Sequence, residues 1–185
     1  LLVLEGELTI GSGGATRTEH NTEFARYLDF KLWTHDFSSV AAFQTRTVAV
    51  GEATDARERP ATVASASYFD FFNARPALGR FFTANEDSVP VGKPVAVLGY
   101  AFWQTEFGGR TDVLGKTVRV DRVLCTIIGV APDGFTGMTD QGVPALFMPI
   151  TAFAWGLRGR DYSKNYNWGW LELVVALAVA IAPRE

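Results

Sequence analysis

The sequence predicts an α+β fold made of two small mixed subdomains with short strands, hairpins and a few helices. Three observations carry that expectation. Extended, β-branched stretches at residues 40–50, 117–120 and 123–130 are interleaved with helical spacing at residues 23–35 and 100–107. Strands and helices do not alternate regularly, as they would in a doubly wound parallel sheet. Apolar residues make up 48% of the 185 positions, with 14 phenylalanines among them, which excludes disorder. A chain of this length buries roughly 70% of its unfolded surface, so it can hold a core without cross-links.

Residues 1–10 alternate loosely and predict a strand, which Gly11-Ser12-Gly13-Gly14 interrupts. A helix follows over residues 23–35, with Phe24, Leu28 and Leu32 four apart on one face and Asn21 or Thr22 as its cap. Residues 40–50 read as a strand and residues 51–59 as a polar hairpin connection. Residues 62–66 read as the returning strand. Ser67 is placed as the N-cap of a short helix over residues 68–72, which Pro76 and Gly79 close.

Residues 85–94, with two prolines and a glycine, read as a loop, and residues 94–98 as a short strand. Residues 100–107 look helical, stopped by Gly108-Gly109. Residues 117–120 and 123–130 predict a β-hairpin across Asp121-Arg122, followed by a turn at Ala131-Pro132-Asp133-Gly134. Residues 145–150 read as a strand, 156–167 as a polar loop and 170–175 as the last strand.

The bulk numbers exclude several classes of function. A net charge of −3 offers no basic footprint for nucleic acid. The longest apolar run, residues 173–182, is half the roughly 20 residues a membrane-spanning helix needs. The one cysteine, Cys125, lies in a strand-like apolar run and reads as a core residue.

The chemical motifs are weaker than they look. Residues 109–117 nearly spell a phosphate-binding loop, but five residues separate Gly109 from Gly115 where four are needed. A helix also precedes it and a strand follows, the reverse of the context that aims backbone N–H groups at an anion. His20 and His35 match no compact zinc spacing. The carboxylates Asp29, Asp36, Asp70, Glu86 and Asp87 are expected on solvated faces and loops. A pair of them converging in a cleft would instead suggest a carboxylate-dependent hydrolase. Trp33 and Trp103 are expected in the core. Trp155 and Trp168 flank a polar stretch and are the candidates for a carbohydrate- or ligand-binding surface, with Trp170 beside them. No catalytic, cofactor-binding or metal-ligating residue is assigned.

An ordered set of blocks resembles a known family. Ser67-Tyr68-Phe69-Asp70-Phe71-Phe72 and Arg75-Pro76-Ala77-Leu78-Gly79-Arg80-Phe81-Phe82 are followed by Glu86-Asp87. Then come Pro94-Val95-Ala96-Val97-Leu98-Gly99-Tyr100, Phe107-Gly108-Gly109, Val113-Leu114-Gly115-Lys116-Thr117 and Ile127-Ile128-Gly129-Val130-Ala131-Pro132-Asp133-Gly134-Phe135. Together with Tyr27-Leu28-Asp29-Phe30, they resemble the MacB-like periplasmic core domain of ABC-transporter permeases, of the duplicated-permease type. The chain departs from that pattern at Asp121-Arg122, where the family often has Asn-Gly, and after Leu173.

The resemblance implies a porter-like first subdomain over residues 1–82 and a sabre-like second over 83–152. Residues 153–185 would return to the first, whose closing part, like the flanking transmembrane helices, would be missing from this sequence. It implies a non-catalytic domain on the extracytoplasmic side of the inner membrane that relays conformational change in export. The implied partners are a second permease copy and a cytoplasmic ATPase domain, with a periplasmic adaptor or substrate protein. Flexible joins are expected at residues 84–94 and 156–167.

Overall fold

The computed structural model describes residues 2–4, 21–33, 37–52, 55–139 and 141–177. The glycine turn at residues 11–14, His20, His35 and Asp36 lie outside the described residues. The elements in chain order are β1 (Leu2–Leu4), β2 (Thr22–Glu23), α1 (Phe24–Trp33), β3 (Phe37–Val50), β4 (Arg57–Ala64), α2 (Tyr68–Phe71) and β5 (Leu78–Gly79). They continue as β6 (Val95–Leu98), α3 (Tyr100–Phe107), β7 (Thr117–Val120), β8 (Val123–Val130), β9 (Leu146–Pro149), α4 (Ile150–Arg158) and β10 (Gly169–Leu177). The fold is α+β.

The strands form one mixed sheet in the order β1-β10-β3-β4-β9-β6-β8-β5, with β2 on β10 and β7 touching both β3 and β8. Two pairings are parallel, β4 with β9 and β6 with β8. Period-two alternation in the sequence sorts side chains to the two faces. On β6, Ala96 and Leu98 face one core while Val95 and Val97 face the other. On β3, Ala42, Val48 and Val50 join the first core, and Ala41 and Phe43 the second. The first core also takes Phe24 and Tyr27 of α1, Trp103 of α3 and Phe153 of α4. The second is an aromatic cluster around Tyr68 and Phe69 of α2.

The β7–β8 hairpin forms across Asp121-Arg122, with Val118 opposite Cys125. Asp121 takes a positive φ of 51° and Arg122 does not, so the turn lacks the two left-handed residues of a type I′ hairpin. Instead it docks on β3: the Asp121 N–H donates to Ala49 O at 2.8 Å, and the Ala49 N–H donates to Asp121 Oδ1 at 2.9 Å. Cys125 is fully buried, and burial pushes its thiol up to about 12. A thiol reagent should therefore label Cys125 no faster than the protein unfolds. Rapid native labelling, followed by absorbance or mass, would count against this register.

Several expectations need correction. Ser67 does not cap α2 through its side chain; its hydroxyl donates to Val40 O at 2.8 Å instead. Thr22 lies in β2, paired with β10. β4 starts at Arg57, inside the stretch read as a connection, because Arg57, Glu58 and Arg59 lie ahead of the β9 pairing that begins at Ala61 and can face water. Residues 150–164 are helical, α4 followed by a 3₁₀ turn at Gly159–Lys164, where a strand end and a polar loop were expected. A continuous apolar run does not distinguish strand from helix by period. Among the described residues no helix is long and apolar enough to cross a membrane.

Candidate functional site

Residues 80–94 wrap from β5 to β6 past the starts of α2 and α4. Thr83 O accepts from the N–H groups of Glu86 and Asp87 at 2.9 and 3.1 Å, a turn that sends both carboxylates inward. Glu86 is only 6% exposed. Its oxygens accept from both terminal nitrogens of Arg80 at 2.7 and 2.8 Å. The Thr83 N–H adds a bond at 2.9 Å and the Thr83 hydroxyl another at 3.2 Å. The forked guanidinium hydrogen bonds hold the Glu86 carboxyl down at about 2, against the opposing effect of burial.

Asp87 joins three segments distant in sequence. Its Oδ1 accepts from the Thr151 N–H at 3.2 Å and hydroxyl at 2.9 Å, at the first turn of α4. Its Oδ2 accepts from the Ala66 N–H at 3.2 Å, just past β4. A carboxylate at a helix N-terminus meets unsatisfied backbone donors and the favourable end of the helix dipole. Burial outweighs these bonds and pushes the Asp87 carboxyl up to about 6.

This shift makes a pH prediction. The folded value lies above the ordinary 3.8, so the stabilising contribution of the protonated group is present in full below about pH 4. It is lost as the pH rises through 6, by up to about 3 kcal/mol. Asp87→Asn keeps an oxygen for Thr151 and removes the titration. Urea unfolding at pH 4 to 7 should show a declining contribution in the wild type that is absent from the variant. Parallel pH profiles would refute it. Glu86 works in the opposite sense, stabilising above about 4.5 and failing as the pH falls toward 2, outside this window.

The sequence-predicted candidates separate accordingly. Glu86 and Asp87 are not solvated loop carboxylates: adjacent in the chain, they turn to different partner sets, and each is tied into the scaffold. A hydrolytic pair would need both to face one substrate. The Thr-x-x-Glu spacing at 83–86, which is that of a capping box, is the sequence signal that marks the Glu86 half of this brace. The Asp87–Thr151 half spans 64 residues and leaves no local trace. Asp70 is exposed on the rim of a cleft of about 330 Å³ that Asp87, Lys31, Phe81 and Thr83 also line, but Asp87 is buried there and spent on Thr151 and Ala66. Asp29 accepts a hydrogen bond from the Tyr166 hydroxyl at 2.8 Å.

The indoles also part company. Trp103 is buried and its Nε1–H donates to Arg110 O at 2.9 Å, as a core role requires. Trp33, expected in the core, is 79% exposed. Trp168 stacks on Trp170 at 4.8 Å and 13°, and Trp170 is itself buried, so this pair closes the core edge rather than extending a platform toward Trp155. Trp155 is half-buried in α4.

The phosphate-loop lookalike has the expected reversed context, between α3 and β7. Lys116 is paired with Asp112 at 3.1 Å, and Asp112 also binds Arg110 at 2.7 Å. Among the described residues no group of three or more His, Cys, Asp or Glu could hold a metal ion.

The chain matches the model of the MacB-like periplasmic core domain over residues 5–184. It is 32% identical over 101 residues to the macrolide export ATP-binding/permease protein MacB of Chlorobium phaeobacteroides, covering 52% of this chain and 15% of that protein. The MacB of Chlorobium luteolum is 34% identical over 91 residues, 49% of this chain and 13% of that protein. The chain thus spans about a seventh of the length of the curated relatives it matches. In three dimensions it resembles the periplasmic region of MacB from Actinobacillus actinomycetemcomitans, with a TM-score of 0.66 at 17% identity, over 90% of this chain and 71% of that one. The extracellular domain of the noncanonic ABC-type transporter YknZ from Gram-positive bacteria gives 0.63 at 19% identity, over 86% of this chain and 74% of that one. With a family model matched along nearly its whole length, the chain belongs to the MacB-like periplasmic core domain family.

Proposed function

We propose that this chain is the extracytoplasmic, non-catalytic domain of an inner-membrane ABC-type permease and that it relays conformational change during export. The family match over residues 5–184 is the observation that carries the reading. Its full-length partners are a second permease copy and a cytoplasmic ATPase domain, with a periplasmic adaptor or substrate protein on the outer side. The brace around Glu86 and Asp87 supports a scaffold role, because its polar groups tie loop and helix ends together.

Topology supports the relay. Leu2 of β1 pairs with Val175 of β10, so the chain enters and leaves the described sheet side by side. A domain inserted between two membrane segments would receive force at that ribbon. Residues 1–82 with 153–185 form one porter-like unit, and residues 83–152 a sabre-like unit. In support, β3, β4 and β10 neighbour one another, as do β6, β7, β8 and β9; the two groups meet where β4 pairs with β9, β3 with β7 and β5 with β8. The segments 84–94 and 156–167, expected as flexible joins, instead carry the Asp87–Thr151 bonds and the end of α4 with its 3₁₀ turn.

Flexible glycine–serine inserts immediately before Leu2 and after Leu177 in the full-length permease test this. Transport should be lost while basal ATP hydrolysis remains measurable. Transport at the unmodified rate would defeat the relay.

A further inference from the structure

The last turn of α1 leaves two large apolar side chains in water. Leu32 is 67% exposed and Trp33 79%. Neighbours on a helix point about 100° apart, so the two side chains project into water over a broad arc at the end of α1. The buried face of α1 is instead Phe24, Ala25 and Tyr27. The inward stripe expected at Phe24, Leu28 and Leu32 therefore stops short of Leu32, with Leu28 only partly buried.

The topology fixes where this projection lies. α1 starts beside the N-terminal end of β10, where Thr22 and Glu23 pair with Leu171 and Gly169. It ends four residues before Phe37, whose backbone partner is Leu177, at the opposite end of β10. Four residues reach at most about 14 Å. Trp33 therefore lies within that distance of Phe37, at the same end of the sheet as Leu2 and Leu177. The exposed Leu-Trp pair therefore lies within about 14 Å of the sheet end at which the chain enters and leaves the described strands.

Resting on the reading above, in which those strands run on to membrane segments, we infer that Leu32 and Trp33 form a membrane-surface anchor that dips into the interfacial layer of the outer leaflet. Indole is the side chain best suited to that layer, its ring apolar and its N–H able to bond headgroups. Lys31, which precedes the pair, turns back over the Tyr27 ring at 5.4 Å and lines the cleft with Asp70, so the contact rests on the two apolar side chains. The chain is acidic overall, at −3, so the contact is apolar and needs no anionic lipid. Tethering by the flanking segments supplies the effective concentration that two side chains alone would lack.

Nitroxide accessibility in the full-length permease, reconstituted in phosphatidylcholine vesicles, tests this. All exposed cysteines are removed and the buried Cys125 is kept. Labels are placed at Leu32→Cys and, as a reference, at Leu124→Cys, whose side chain is 44% exposed on β8. The expected result is a several-fold higher ratio of oxygen to nickel-chelate collision at position 32 than at position 124. Equal ratios would overturn the anchor. So would an immobile label at 32 that neither reagent reaches, which would place a protein surface there instead. Labelling of Leu124→Cys by an impermeant thiol reagent from outside intact cells checks the underlying reading separately. If that labelling succeeds and the ratios are equal, only the anchor fails; if it fails, the extracytoplasmic reading falls, and the anchor with it.

Discussion

Phe69→Ala is expected to cost about 3–5 kcal/mol, enough to unfold a large fraction of a domain of ordinary stability. Phe69 is 1% exposed at the centre of the second core. Its ring stacks on Phe81 at 3.8 Å and 2°, and meets Phe82 at 5.3 Å and Phe147 at 5.5 Å nearly edge-on. Phe135 lies 5.9 Å away and Tyr68 6.0 Å. Truncation to alanine removes the ring that all five share and leaves a cavity their fixed backbones cannot close. Phe69→Leu, which keeps most of the volume, should lose markedly less. Denaturant unfolding of the two variants decides the matter: equal losses would show that the cluster is bulk burial without specific ring packing.

The parts of the fold legible in the sequence are those set by local chemistry. α3 ends where Gly108 takes the left-handed conformation at its C-cap, as the Gly108-Gly109 pair predicts. The β7–β8 hairpin was legible from its two strand-like runs and two-residue connection. The sheet order was not, because β4 beside β9 joins residues more than eighty positions apart. α4 was hidden because residues 145–155 are apolar but for Thr151, so no period marks the change from strand to helix; Pro149, immediately ahead of Ile150, was the available signal. The brace was half legible. Glu86 and Asp87 could be singled out, yet their burial depends on Arg80 and Thr151, and only folding brings Thr151 near. Trp33 was misplaced because helical spacing assigns a residue to a face, without showing whether the body extends far enough to cover it.

Gly129→Ala is expected to cost about 3 kcal/mol or more, by forcing apart two backbones that have no room for a methyl group. A Cβ at Gly129 would stand 2.2 Å from Arg80 O, and one at Gly79 would stand 2.3 Å from Ile128 O. Gly79 also holds φ at +67°, which an L side chain tolerates poorly. The contact is tight because β5 is a two-residue strand, with Leu78 opposite Val130 and Gly79 opposite Gly129. The Arg80 N–H then donates to Ile128 O at 3.0 Å. That last bond links the glycines to the brace, because the Arg80 side chain neutralises buried Glu86 at 2.7 Å. Moving Arg80 by the several tenths of an ångström a methyl demands strains both the strand pairing and the forked ion pair. Glu86→Gln alone should cost less, about 2 kcal/mol, since Arg80 is half exposed and can turn to water. In the double variant the two losses should fall short of additivity, because the first substitution has already weakened what the second removes. Strict additivity in unfolding free energies would show that the β5–β8 contact and the Arg80–Glu86 pair are independent, and that the glycines act on strand pairing alone.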